Sequence, residues 1–188
     1  MKKLFGVLAL AVLLMLSANL QAWEVQFRLG PTLEMKDWPF PAANKFNQFK
    51  FGVNFASTSK GAESGFYSSN SIDFSFLEDT TIIWLTPEFQ YDIKIGGLPL
   101  YIYPKFGLVM FFAFFDNAKS FGFGIKPAVG IKFDLMDWFY VWAEPFGVNI
   151  VFTQYYWLNA GWAGFATGGW LNDTVVSYDM MFGVGFRL

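Results

Sequence analysis

Beyond residue 22, no stretch of this 188-residue chain is apolar for long enough to cross a bilayer as a helix. Instead, one short segment after another alternates apolar and polar residues with a period of two. The last segment is the clearest. Leu188, Phe186, Val184, Phe182, Met180 and Tyr178 alternate with Arg187, Gly185, Gly183, Met181, Asp179 and Ser177. Successive side chains of a strand point to opposite faces, so this segment has one greasy face and one polar or bare face. A soluble protein rarely carries a greasy row to its final residue, whereas a strand that closes a barrel in lipid does so naturally.

The amino terminus reads as an export signal. Met1-Lys2-Lys3 is a basic start, residues 4–16 are apolar, and Ser17 to Ala22 offer small residues for cleavage. The apolar run is too short to span as a helix, and the competing reading, a short buried helix, has nothing helical after it. The expected division is a signal peptide over 1–22 and one domain over 23–188. Removing Lys2 and Lys3 with the leader takes the net charge from −2 to −4. No basic stripe remains for nucleic acid. The absence of cysteine excludes a disulfide framework, a lipid-bearing cysteine and thiolate chemistry. The absence of histidine removes the commonest general base and metal ligand together, and no cofactor is expected.

Taken in order, residues 23–33 alternate Trp23, Val25, Phe27 and Leu29 against Glu24, Gln26, Arg28 and Gly30. Residues 36–41 contain two prolines and read as a loop. A second strand is expected over 45–56, a Ser/Gly-rich connection over 57–70 and a third strand over 71–77. The fourth strand sets Ile83, Leu85, Phe89, Tyr91 and Ile93 against Trp84, Thr86, Glu88, Gln90, Asp92 and Lys94, with Pro87 marking a bulge. Gly96-Gly97-Leu98-Pro99 is a tight turn. A fifth strand runs from Leu100, a short loop covers 116–119, and a sixth strand runs from Phe121 to Asp134. Residues 135–137 turn into a seventh strand over 138–153, which Pro145 and Gly147 distort. A long connection over 155–172 leads to the eighth strand.

Only 15% of the residues are charged, while 54% are hydrophobic and 22% aromatic; a soluble domain carries roughly a quarter charged residues. Apolar excess spread as short alternating segments is the signature of a transmembrane β-barrel, whose strands need about 9–11 residues each. The fold class expected is therefore all-β, an eight-stranded antiparallel up-and-down transmembrane barrel. The 57–70 connection is long for its end of such a barrel, which leaves ten strands as an alternative count.

The whole of 23–188 resembles the small OmpA/OmpX-type outer-membrane β-barrels. The resemblance implies an assembly signal at Met180, Phe182, Val184, Phe186 and Leu188, where Leu188 stands in place of the usual terminal Phe. It also implies residence in a bacterial outer membrane, with membrane lipid and the outer-membrane assembly machinery as partners.

If the apolar rows face lipid, the other rows bring six acids and six bases into the lumen: Glu24, Arg28, Lys50, Asp73, Glu88, Asp92, Lys105, Lys126, Lys132, Glu144, Asp179 and Arg187. An eight-stranded lumen is only wide enough to be filled by side chains, and unpaired buried charge is costly. The plain reading is an ion-pair network that plugs the barrel; the sharper one is a gated ion path or proton-linked site. Trp23, Trp38, Tyr91, Tyr101, Tyr103, Trp138 and Tyr178 fall near strand ends, as aromatic girdles would. In the 155–172 connection, Trp157, Trp162, Phe165 and Trp170 lie among glycines. They either form a contact surface for an extracellular ligand or lengthen the flanking strands.

Barrel enzymes that transfer or remove acyl chains, and omptin-like proteases, lean on histidine, so no catalytic residue is assigned. Gly122-x-Gly124 and Gly183-x-Gly185 are too short for phosphate loops. They make room in the lumen or relieve crowding between strands. The leading expectation is a non-enzymatic barrel with a structural, adhesive or surface-interaction role. The alternatives are a narrow channel for small or hydrophobic solutes, and a soluble barrel with Phe51, Phe89 and Phe123 turned inward on a ligand.

Overall fold

A computed structural model describes residues 23–34, 47–57, 65–77, 80–115, 118–158, 167–171 and 174–188. The expected signal peptide, Trp38, Trp162 and Phe165 lie outside them. Nine strands are formed among the described residues: β1 (Trp23–Glu34), β2 (Asn47–Ser57), β3 (Gly65–Leu77), β4 (Thr80–Lys94), β5 (Leu100–Phe115), β6 (Ala118–Met136), β7 (Phe139–Leu158), β8 (Thr167–Leu171) and β9 (Val175–Arg187). Each consecutive pair from β1 to β7 is antiparallel. β9 then pairs with both β7 and β1, which closes the barrel.

The barrel has eight staves, because β8 and β9 share one. β9 begins against β7 at Val175↔Val151, and β8 continues the same side of β7 from Leu171↔Gln154 to Thr167↔Leu158. Closure pairs each stave with both neighbours, the condition for strands to cross lipid with their backbone groups paired, while β8 pairs with β7 alone. The start of β1 and the end of β9 meet at one rim, where the Leu188 amide donates to the Trp23 carbonyl at 2.8 Å and that of Arg187 to Trp138 at 2.9 Å. The β4–β5 and β6–β7 turns share this terminal rim. In the first turn Gly96 takes φ +57°, a conformation that glycine adopts without strain.

The period of two in the sequence becomes two environments. Polar and small residues turn inward and are buried, while the apolar rows of all eight staves turn outward: Phe27 is 51% exposed, Phe51 46%, Phe89 55% and Phe146 65%. Phe123 lies half-buried on the same outer row. This facing is the reverse of a soluble ligand carrier. Outward rings pack into ladders across neighbouring strands, as where Phe51 stacks on Phe74 at 5.8 Å and on Phe76 at 5.6 Å.

Four expectations need correction. β3 starts at Gly65 instead of residue 71. Its first half is hidden in the sequence because Ser68 and Asn70 make the outer row as polar as Ser69 and Ser71 on the inner one. Pro87 makes no bulge: Asn70↔Pro87 lies in an unbroken β3–β4 register, and β4–β5 resumes in the same register beyond it. Proline here removes a ladder donor without inserting a residue. Tyr101 and Tyr103 are not girdle residues. They share the inward row with Lys105, and Tyr103 is 3% exposed. Half of the 155–172 connection is strand, since β7 runs to Leu158 and β8 occupies 167–171; the rest lies outside the described residues. By contrast, β7 does shift register between Glu144 and Gly147, around Pro145.

Candidate functional site

The lumen is where the chain concentrates its chemistry. Of the twelve charged residues assigned to it, all but Arg187 are buried, and every one takes part in an ion pair. At the terminal rim, Arg187 lies 3.0 Å from Glu24 and 2.7 Å from Asp134, the latter absent from the sequence assignment. Tyr140 donates its hydroxyl to Glu24 at 2.6 Å and accepts from Gln26 at 2.9 Å. Lys132 contacts Asp92 directly and is surrounded by the rings of Tyr67, Tyr101 and Tyr140 at 4.9–5.3 Å. A desolvated ammonium gains from such ring faces as well as from its carboxylate.

Arg28 is the hub of the middle. Its Nε lies 3.0 Å from Asp73 on β3, Nη1 3.3 Å from Glu88 on β4, and Nη2 3.8 Å from Glu144 on β7. Lys105 reaches the same two glutamates, Glu88 at 3.2 Å and Glu144 in direct contact. Nearer the far rim, Asp179 takes Lys50 at 3.0 Å, Lys126 at 3.3 Å and the Thr32 hydroxyl at 2.7 Å. Four cations (Arg28, Lys50, Lys105, Lys126) thus face four anions (Asp73, Glu88, Glu144, Asp179), and the central cluster is neutral. Neutrality with close geometry is what allows so many charges to stay dry.

Above this cluster the lumen changes character. Ile82, Trp84, Val109, Phe111, Ala113, Val151 and Val175 form a buried apolar group that Phe115 packs against. The Lys50 ammonium sits 3.8 Å from the centre of the Trp84 ring, at the junction of the two zones. The sequence assignment missed this layer, because residues 109–115 are apolar on both rows. Counting by twos from Lys105 would have placed Val109, Phe111 and Ala113 inside.

The two glycine pairs do both of their expected jobs. A Cβ on Gly122 would fall 2.2 Å from the Phe111 ring, and one on Gly185 2.1 Å from the Tyr140 ring; these bare positions receive lumenal aromatics. A Cβ on Gly124 or Gly183 would instead strike the neighbouring strand's backbone, at 2.3 Å from Ile150 O and 1.9 Å from Phe27 O. There the glycines permit close strand approach.

Of the residues assigned to assembly, Met180, Phe182, Val184 and Phe186 lie on the outer row of β9, and Leu188 follows at its end. Phe186 packs with Phe27, Trp138 and Phe139 at 5.2–6.3 Å. Among the surface-contact residues, Trp157 lies in β7 opposite Gly168, and Trp170 in β8 opposite Tyr155. Among the described residues no group of three or more acids is placed to hold a metal ion.

No protein-family model matches the chain, and no curated protein matches it. Solved structures do resemble it. Neisserial surface protein A (NspA) has a TM-score of 0.57 at 13% identity, covering 88% of this chain and 97% of that one. A major outer membrane protein of Thermus thermophilus has 0.57 at 13%, covering 88% and 99%. Ail, the attachment invasion locus protein of Yersinia pestis, has 0.50 at 13%, covering 89% and 97%. The chain therefore has the fold of the small eight-stranded outer-membrane β-barrels, a closed antiparallel barrel.

Proposed function

We propose that this protein is an integral outer-membrane barrel whose lumen is plugged by its own side chains, and that it serves a non-enzymatic role at the cell surface, structural or adhesive. The observation that carries the reading is the inversion of a soluble protein's pattern: paired charges inside, and a continuous belt of exposed Phe, Leu, Ile and Val outside. Water does not tolerate a contiguous apolar belt of this extent, whereas lipid does. The terminal rim faces the periplasm and the far rim faces outward, so the end of β7 and β8, with positions Trp157 and Trp170, lie at the outward rim as candidate contacts. Membrane lipid and the assembly machinery, acting on β9, are the partners. That the fold is shared with a protein named for the neisserial surface and one named for attachment and invasion supports a surface role.

Expression with the leader, followed by membrane fractionation, tests the location. The protein should leave the outer membrane only with detergent and should shift mobility on heating. Recovery as a soluble periplasmic monomer would overturn the reading. In planar bilayers the wild-type barrel should show no discrete conductance steps.

A further inference from the structure

The lumen contains two different fillings, and they are not equivalent as barriers. At the terminal rim the network meets solvent: the side chains of Arg187 and Asp134 are 27% and 17% exposed. From there inward the filling is ionic, made of groups that water and ions can replace one at a time. Toward the far end, among the described residues, apolar side chains take over most of the filling, beside the buried Ser75, Ser120 and Gln154. Ile82, Phe111 and Ala113 are fully buried, and Val109, Val151, Val175 and Trp84 are at most 4% exposed. These side chains come from β4, β5, β7 and β9. The Phe111 ring crosses to lie against bare Gly122 on β6.

We propose that this apolar layer, rather than the ion-pair network, is the barrier to water and ions in the barrel. The charged zone beneath it is then a compartment in contact with the terminal side only. The proposal rests on the plugged-lumen reading and deepens it by naming the seal. A hydrophobic constriction excludes ions by refusing to wet, since an ion entering it must leave its hydration shell without replacement ligands. The ionic zone offers such ligands at each level, from Arg187 through Lys132 and Arg28 to Lys50. Unpartnered polar atoms border the layer: the Trp84 indole nitrogen and Ser75 Oγ on the side of Lys50, and Ser120 Oγ and the Gln154 amide beside Phe111 and Ala113.

The test compares three variants of the full barrel in planar bilayers. Each is first shown to be folded by heat-modifiable mobility. Trp84→Ser with Phe111→Ser removes both large rings and wets the layer. Val109→Thr with Val151→Thr wets it at constant volume and guards against a collapse of the first variant. Arg28→Met with Asp73→Leu removes part of the ionic filling without leaving an orphan charge. The first variant is expected to turn a silent barrel into one with discrete current steps, the second to give briefer openings, and the third to remain silent. Silence of both layer variants, or conduction by the ionic variant, would overturn the proposal. Discrete steps in the wild type would overturn the plugged-lumen reading instead, so the two failures are distinguishable.

Discussion

Replacing Arg28 by methionine isolates the hub of the central cluster. Arg28 is the only charged ion-pair partner that Asp73 makes among the described residues; Glu88 and Glu144 also hold Lys105. The substitution therefore leaves Glu88 and Glu144 paired and strips Asp73 of its close ion pair, leaving the more distant charges of Lys126 and Lys50 and a long 3.5 Å contact from the Ser71 hydroxyl. It also leaves the central cluster with three cations against four anions. Removing one partner of a buried pair costs about 3–5 kcal/mol, chiefly because the other charge stays behind. The expected loss is in that range, a factor of about 10²–10³ or more in the folding equilibrium. Adding Asp73→Asn to Arg28→Met restores neutrality and should recover at least about half of it. Urea unfolding in phospholipid vesicles, followed by tryptophan fluorescence, measures both values. A loss below about 1 kcal/mol for the single variant, or strict additivity in the double one, would refute the idea that Asp73 is the stranded charge.

Three other outcomes are expected. A Cβ at Gly30 would meet Met180 O at 1.9 Å, a backbone atom that cannot swing away, whereas one at Gly97 meets nothing within 4 Å. Gly30→Ala should therefore cost about 1–3 kcal/mol by overpacking, and Gly97→Ala should be neutral in the same unfolding assay. Tyr140→Phe removes the hydroxyl that links Glu24 to Gln26 and should cost about 1–3 kcal/mol, with the barrel still showing heat-modifiable mobility. Phe186→Asp places a carboxylate in the aromatic patch of β9 and should abolish the folded band in membrane fractions. Arg187→Gln, at the terminal rim, should assemble but cost about 1–3 kcal/mol, because the buried Glu24 loses its ion-pair partner and keeps the Tyr140 hydroxyl; normal assembly of the aspartate variant would count against β9 as the assembly signal.

Much of the architecture was legible because a barrel in lipid imposes one rule along the whole chain. Phe27, Phe51, Phe89 and Phe182 could be put outside, and Arg28, Glu88 and Lys132 inside, from parity alone. Parity failed where both rows had the same polarity. It lost the start of β3 at Ser68–Ser71, where both faces are polar. It lost the inward set Val109, Phe111 and Ala113, where both are apolar. At Pro87 the error was of another kind: a missing donor can be absorbed by one ladder position without moving the register.

Residue order alone sets the period, the sign of each face and the inventory of charges that must find partners, because these depend only on side-chain alternation and desolvation. It did not determine the pairs. Arg28 lies beside Gly52 on β2 and Gly183 on β9 in the ladder. Its carboxylates arrive from β3, β4 and β7, across the interior of the barrel. That meeting depends on register and on closure, which bend strands distant in sequence around one axis. Register and closure also set what lies beyond Lys50 among the described residues, the apolar side chains of β4, β5, β7 and β9.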